Sequence, residues 1–145
     1  MKKYNNISTP MNAILKDILQ TKRPTNDAKW CHAYTTGVLD TLGIAYLSDI
    51  HNNITVDLGG TTCFTAHTDT VDNKLGNNLL QTKDNIVTVM GGGVLGADCG
   101  SGMYVLIRMI LASKPGLYVF FSTEEQGRVG STQYAMPEQI GRAHV

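Results

Sequence analysis

Three short stretches of the chain carry acidic side chains beside residues that could hold a metal ion or move a proton. They are His67-Thr68-Asp69, the lone acid Asp98 in the glycine-rich segment 91–102, and the pair Glu124-Glu125. Imidazole and carboxylate groups are usual protein ligands of zinc and suit several related metals. The sequence therefore predicts a metal site with Asp98 at its centre and the other two stretches on either side.

His67 directly follows an apolar segment, and a histidine at the end of a strand can present one ring nitrogen to a metal. The other ring nitrogen then needs a hydrogen-bond acceptor that fixes the tautomer, and Asp69 is the candidate for that role. Taken alone, this tripeptide is more typical of a hydrogen-bonded loop histidine. The metal interpretation therefore depends on the other two stretches.

Asp98 lies in a segment that contains six glycines, so the backbone there must bend tightly or approach another group closely. A carboxylate has two oxygens, and Asp98 could therefore bridge two cations. One alternative is a tight turn into the following helix, and another is a phosphate cradle at the N-terminus of that helix. The segment lacks the Gly-Lys-Ser/Thr ending of a P-loop, and an acid in the cradle would repel phosphate.

Glu124 and Glu125 are adjacent acids that follow an apolar segment. One of them could bind a metal while its neighbour takes a proton from the attacking water. The alternative is a pair of solvated glutamates, which is the common fate of such pairs. Each signal is modest alone, but the three stretches in this order favour a catalytic metal site.

The elements that must position these residues alternate between helical and strand periodicity. Strands are predicted at 44–47, 54–58, 62–66 and 117–121, and a hairpin is predicted at 79–82 and 86–90. Helices are predicted over 11–19, 30–42 and 103–111, and a last short helix is predicted within 127–131. Ser8–Pro10 and Ser101 are the predicted caps of the first and third helices. Open α/β sheets carry their sites at the carboxyl ends of strands. The sequence therefore predicts one α/β domain, a mixed twisted sheet flanked by helices.

The composition narrows the class of partner and the compartment. Twelve basic and twelve acidic side chains cancel, which argues against nucleic acid and acidic membranes as partners. Three scattered cysteines do not form a disulfide framework and favour a reducing compartment, so we expect a cytoplasmic protein. The sequence shows no signal-peptide pattern and no apolar run of membrane-spanning length.

Three blocks of sequence resemble the signature blocks of the co-catalytic zinc exopeptidases. The blocks are residues 65–71, 95–102 and 122–131, and the resemblance extends over about residues 30 to 135. That superfamily includes peptidase T, the aminoacylase and carboxypeptidase G-like enzymes, and the zinc aminopeptidases. The peptidase T-like branch has the most similar blocks. The three blocks in this order are a specific signal.

The resemblance implies a two-metal hydrolase of peptide or acyl-amide bonds. It implies that His67 binds one zinc, Asp98 bridges two, and Glu125 binds the second. It also implies that Glu124 is the general base and that Asp69 orients His67. The expected substrate is a small peptide or an acyl-amino acid. Cobalt or manganese could replace zinc, because mixed carboxylate and imidazole ligands suit several metals.

The chain departs from the family pattern in two places. The residue after the bridging acid is often a second aspartate, and here it is Cys99, which we interpret as a small buried residue rather than a soft extra ligand. The family also needs a further acid and a further histidine downstream, and only Glu138 and His144 follow Gly130. A cis peptide bond is expected between Asp98 and Cys99, because family members commonly carry one there and the chain must turn at once into a helix.

The C-terminal residues suggest a reason for the missing ligands. Residues 140–145 back-translate into what resembles sequencing-adapter read-through, so we predict a partial catalytic domain over 1–139 and a non-native tail over 140–145. His144 is therefore not taken as a ligand. A rival hypothesis is a non-catalytic binding module with a defective metal site, and a weaker one is a nucleotide-binding domain that uses residues 91–102.

Overall fold

The structure is a computed structural model that describes residues 12–137, and it confirms the predicted α/β class with a mixed sheet and flanking helices. The helices are α1 (Ala13–Gln20), α2 (Ala28–Thr41), α3 (Ala97–Leu111) and α4 (Val129–Thr132), and the strands are β1 (Leu47–Ser48), β2 (Ile54–Asp57), β3 (Cys63–His67), β4 (Leu80–Lys83), β5 (Ile86–Val89) and β6 (Leu117–Phe121). The predicted cap at Ser8–Pro10, the tail 140–145, Glu138 and His144 lie outside the described residues. Within those residues, no helix has the length and apolar character needed to cross a bilayer.

The main sheet has four strands in the order β1-β2-β6-β3, and β6 lies inside it. β6 pairs antiparallel with β2 and parallel with β3, so that His67 stands opposite Phe121. Leu117 to Phe120 are buried, which confirms the prediction that this apolar run is a strand covered on both faces. The parallel pairing places the carboxyl ends of β3 and β6 at the same edge of the sheet.

The main core lies between the sheet and the helices α1, α2 and α3. Tyr118 and Phe120 of β6 face this core, and the alternate residues Leu117 and Val119 pack on the other face against Tyr134 and neighbouring side chains. α3 passes close to β3: a Cβ placed on Gly102 would lie 3.4 Å from the Cβ of Ala66. This close packing holds the N-terminal end of α3 beside the carboxyl end of β3.

Most predicted boundaries lie within two residues of the observed ones, and the starts of two elements need comment. The strand predicted at 44–47 is reduced to Leu47–Ser48, because Ile44 and Tyr46 pack against the core from irregular backbone without ladder partners. The third helix has an irregular first turn at residues 97–99, and its regular part begins at Gly100, so the predicted cap Ser101 lies one residue inside the helix. Gly96, with φ 72°, makes the turn into the helix in the left-handed region that favours glycine, so no side-chain cap is used.

Candidate metal centre

All three predicted stretches meet at one edge of the main sheet. His67 is the last residue of β3, and Glu124 and Glu125 lie in a short 3₁₀ turn (Glu124–Gln126) just beyond the end of β6. Asp98 lies in the first turn of α3, which packs against β3. The parallel pairing of β3 with β6 and the packing of α3 therefore bring together residues that are far apart in the sequence.

His67 is the centre of this cluster. Its Nε2 lies 3.0 Å from Oδ1 of Asp98 and 4.0 Å from Oε2 of Glu124. Its Nδ1 lies 2.8 Å from the backbone carbonyl oxygen of Asp69 and donates a hydrogen bond to it. That bond fixes the ring so that Nε2 faces the carboxylates, which is how metal-binding histidines are usually oriented.

The ligand atoms in the cluster form two overlapping groups. One ligand atom each from His67, Glu124 and Glu125 lie within 4.8 Å of one another, and the same is true of His67, Asp98 and Cys99. Cys99 was predicted to be a buried residue, but it is only half-buried. Its Sγ lies against Gly102. The metal roles of His67, Asp98 and Glu125 stay predictions, and His67 is the residue that the two groups share.

Asp69 connects the two strand ends through its side chain. The side chain is fully buried, and its two carboxylate oxygens accept hydrogen bonds from the backbone N–H groups of Glu124 (3.0 Å) and Glu125 (3.2 Å). Its Oδ1 also lies 3.4 Å from Nδ1 of His67. The predicted orienting role is thus shared: the Asp69 carbonyl takes the short bond from His67, and the carboxylate positions the glutamate pair.

The charges at the site follow from this network. Burial opposes ionisation of Asp69, but the hydrogen bonds from His67 and from the Glu124 and Glu125 amides outweigh it and hold the pKa of Asp69 below its usual value. Burial also lowers the pKa of His67, but Asp69 and Asp98 outweigh it and raise that pKa to about 9. His67 is therefore protonated at neutral pH, and its Nε2 proton lies between the two atoms that a metal ion would join.

The glutamate pair adds further negative charge. Burial, and then repulsion by Glu124, raise the pKa of Glu125 above its ordinary value. Like-charged carboxylates so close together are stabilised by a bound cation, and together with the imidazole of His67 they form a mixed oxygen and nitrogen donor set. These residues therefore fit a divalent metal ion such as zinc.

The site is closed on the sheet side and open on the α3 side. The His67 side chain is 11% exposed and that of Asp69 is 0% exposed, whereas the Asp98 side chain is 88% exposed. An ion held between His67 and Asp98 would therefore meet solvent on the side of Asp98. Further ligands would have to approach from that side.

The backbone around Asp98 departs from a regular helix. Asp98 and Cys99 have non-helical dihedral angles within α3, and the N–H of Gly100 donates to the carbonyl of Gly96 at 2.9 Å. The peptide bond between Asp98 and Cys99 is cis, which confirms the prediction. The Asp98 carboxylate projects from the helix start toward His67.

Sequence reasoning missed one residue that connects these segments. The side chain of Arg23 is 1% exposed and donates hydrogen bonds to the carbonyls of Thr68 (2.8 Å) and Gly96 (3.1 Å). A basic residue before a proline is ordinary in a segment that ends a helix. The sequence around Arg23 therefore carried no signal of its burial.

Gly130 is a second residue that the turn after β6 requires. A Cβ there would collide with the backbone of Ser122 and with Oδ1 of Asn53, which itself accepts a hydrogen bond from the N–H of Ser122 at 3.1 Å. We expect Gly130→Ala to lower the free energy of unfolding by about 1–3 kcal/mol, because the added methyl group overpacks this junction.

The matched control is Gly37→Ala in α2, where an added Cβ meets nothing within 4 Å. Alanine is the better helix former, so this variant should be more stable by about 0.5–1 kcal/mol. Urea unfolding of both variants and the parent measures the difference. If the free energy of unfolding changed in the same direction in both variants, the close packing at Gly130 would be contradicted.

Three solved structures have a similar fold, and all are peptidases. They are a tripeptidase from Staphylococcus aureus (TM-score 0.67, 21% identity, 83% of this chain and 38% of that chain), an aminoacylhistidine dipeptidase from Vibrio alginolyticus (0.69, 19%, 92% and 31%), and the aminopeptidase PepT from Bacillus cereus (0.65, 24%, 83% and 38%). This likeness confirms the peptidase-type fold that the sequence blocks predicted.

The likeness covers most of this chain but a minor part of each peptidase. The chain spans between 31% and 38% of the length of the three structures. No protein-family model matches the chain, and no curated protein matches it. The likeness therefore shows the fold of this chain.

Proposed function

We propose that this chain carries part of the active site of a metal-dependent hydrolase that cleaves peptide or acyl-amide bonds. The observation that carries the proposal is the convergence at one sheet edge of His67, Asp98 and the Glu124-Glu125 pair, with His67 Nε2 3.0 Å from Asp98 Oδ1. Open α/β sheets hold their sites at the carboxyl ends of strands.

The proposed metal is zinc, and cobalt or manganese could replace it. A site with all of its ligands would hold two ions. When bound, it supplies Lewis acidity toward the scissile carbonyl. His67 and Asp98 would hold one ion, and Asp98 and Glu125 the second. Catalytic zinc normally has three protein ligands. Each ion would therefore need one more ligand, which would come from the open side beyond Asp98.

The residues of the chain would divide the remaining work. Glu124 lies 4.0 Å from His67 Nε2 and is the proposed general base, which takes a proton from water and returns it to the leaving amine. Asp69 keeps His67 in the required tautomer and fixes the backbone of both glutamates.

The substrate class and the compartment belong to the same proposal. The similar structures are named as a tripeptidase, a dipeptidase and an aminopeptidase, which supports small peptides, with acyl-amino acids as the related alternative. The free cysteines Cys31, Cys63 and Cys99 agree with a reducing, cytoplasmic setting.

Calorimetric titration of the 145-residue chain with zinc tests the proposal. We expect weak binding in the parent, because each ion lacks a ligand, and at least a tenfold weaker affinity in Asp98→Asn. Asp84→Asn is the matched control, since Asp84 is an exposed acid in the turn between β4 and β5. It should bind zinc as the parent does.

Two outcomes would count against the proposal. Equal zinc affinity in the Asp98 and Asp84 variants would remove Asp98 from the site. Tight binding of two zinc ions by the parent chain would contradict both the proposed ligand set and the need for further ligands.

A further inference from the structure

The side chain of Arg23 is the largest among those that the structure buries fully within residues 12–137. It lies between the end of α1, the loop after β3 and the turn before α3. Its guanidinium group donates to four backbone carbonyls: those of Ile18, Thr21 (3.1 Å), Thr68 (2.8 Å) and Gly96 (3.1 Å). All four of these hydrogen bonds go to main-chain carbonyl oxygens.

Two of these carbonyls belong to the segments that carry the proposed metal ligands. Thr68 stands between His67 and Asp69, and Gly96 precedes Asp98 by two residues. Arginine has a planar fork of donors with fixed spacing, so one guanidinium can hold two backbone segments at a set distance. Those two segments place His67 Nε2 3.0 Å from Asp98 Oδ1.

The backbone of Arg23 is itself fixed from several sides. The N–H of Thr70 donates to the Arg23 carbonyl at 2.7 Å, and the Trp30 indole donates to the Lys22 carbonyl at 3.0 Å. The packing around the guanidinium is close as well, because a Cβ on Gly100 would lie 3.0 Å from Arg23 Nη2. The side chain therefore has little freedom to adopt another position.

Burial of a charged group is costly unless its donors are satisfied. Here the satisfied donors all lead to the backbone of α1 and of the two ligand-bearing segments. We propose that Arg23 is a positioning residue for the metal centre, which sets the separation of His67 and Asp98 by holding the carbonyls of Thr68 and Gly96. This role rests on the proposed function for its metal, but the geometry can be tested without metal.

The test compares the 145-residue parent with Arg23→Lys and Arg23→Gln under conditions in which each is fully folded by circular dichroism. Lysine keeps the positive charge, but its single nitrogen cannot donate to the carbonyls of Thr68 and Gly96 with the spacing that the guanidinium group provides. Cobalt(II) affinity is measured by absorption titration. Without metal, the His67 ring resonances are recorded by NMR at fixed pH and assigned by their loss in His67→Gln.

We expect both variants to bind cobalt about 10- to 100-fold more weakly than the parent, which is the usual effect of losing a group that orients metal ligands. We also expect the His67 resonances to shift in the metal-free variants. The control is Leu39→Ala, a core substitution in α2 that lowers stability. It should leave both readouts at the parent values.

Several results would overturn the inference. Parent-like cobalt affinity in the folded lysine and glutamine variants would do so, as would an equal loss of affinity in Leu39→Ala. If the parent binds no cobalt, the proposed function fails, and the metal-free spectra then decide the role of Arg23. Unshifted His67 resonances would refute it, and shifted ones would support it. If Arg23→Gln does not fold, Arg23→Lys carries the test alone.

Discussion

Replacement of Glu124 by glutamine is expected to lower turnover by about 10²- to 10⁴-fold, which is the usual contribution of a general base. Metal binding should persist, because the proposed ligands are His67, Asp98 and Glu125. Glutamine has nearly the same shape as glutamate but cannot accept the proton from water. The measurement is kcat on dipeptides and acyl-amino acids, made in a form of the protein that has all its metal ligands.

Glu125→Gln is the matched control for this substitution. Its side chain is proposed to bind metal, so this variant should lose metal affinity as well as turnover. Parent-like activity in Glu124→Gln would remove Glu124 from the mechanism. Metal binding without turnover in the parent would favour the rival hypothesis of a non-catalytic binding module.

Replacement of Asp69 by alanine is expected to lower the free energy of unfolding by about 2–4 kcal/mol, because each of two partly buried amides loses its acceptor. These amides belong to Glu124 and Glu125. His67 would also lose a nearby negative charge. Urea unfolding at neutral pH measures the loss, and Asp40→Ala is the control, since Asp40 is exposed on α2 and surface substitutions usually change stability by less than about 0.5 kcal/mol.

The pH dependence of this difference follows from the lowered pKa of Asp69. A carboxyl group whose pKa is lower in the folded state stabilises that state above its unfolded pKa, about 3.9 for aspartate. The stabilisation is lost as the pH falls through the folded-state pKa. The gap between parent and Asp69→Ala should therefore be present at about pH 5, where His67 is protonated in both states, and shrink as the pH falls further. A gap that grows below about pH 4 would contradict the hydrogen-bond arrangement at Asp69.

Much of the fold could be predicted because its signals are local. The apolar run of β6 has a length and composition that only a buried strand explains, and it was found at 117–121. The convergence of His67 with Glu124 also followed from chain order, since two parallel strands end at one sheet edge. Glycine marked the turn before Asp98, where Gly96 adopts a positive φ.

The features that the sequence did not predict depend on contacts between segments that are distant in the sequence. Arg23 meets Gly96 across 73 residues of sequence, and nothing in its neighbourhood distinguishes it from a surface arginine. The Asp69 carboxylate similarly reaches the amide of Glu124 across 55 residues. The start of α3 was predicted to within a few residues: its regular part begins at Gly100, and Ser101, which has the composition of a cap, lies just inside it.

Anomalous X-ray diffraction from zinc-soaked crystals of this chain is the most direct test of the proposed metal centre. We expect the strongest zinc peak at about 2.0–2.2 Å from both His67 Nε2 and an Asp98 carboxylate oxygen, which are ordinary zinc-ligand distances. Glu124 or Glu125 should lie on the same side of the ion. A zinc peak elsewhere, with the His67–Asp98 hydrogen bond intact in the same crystal, would contradict the assignment of this sheet edge as a metal site.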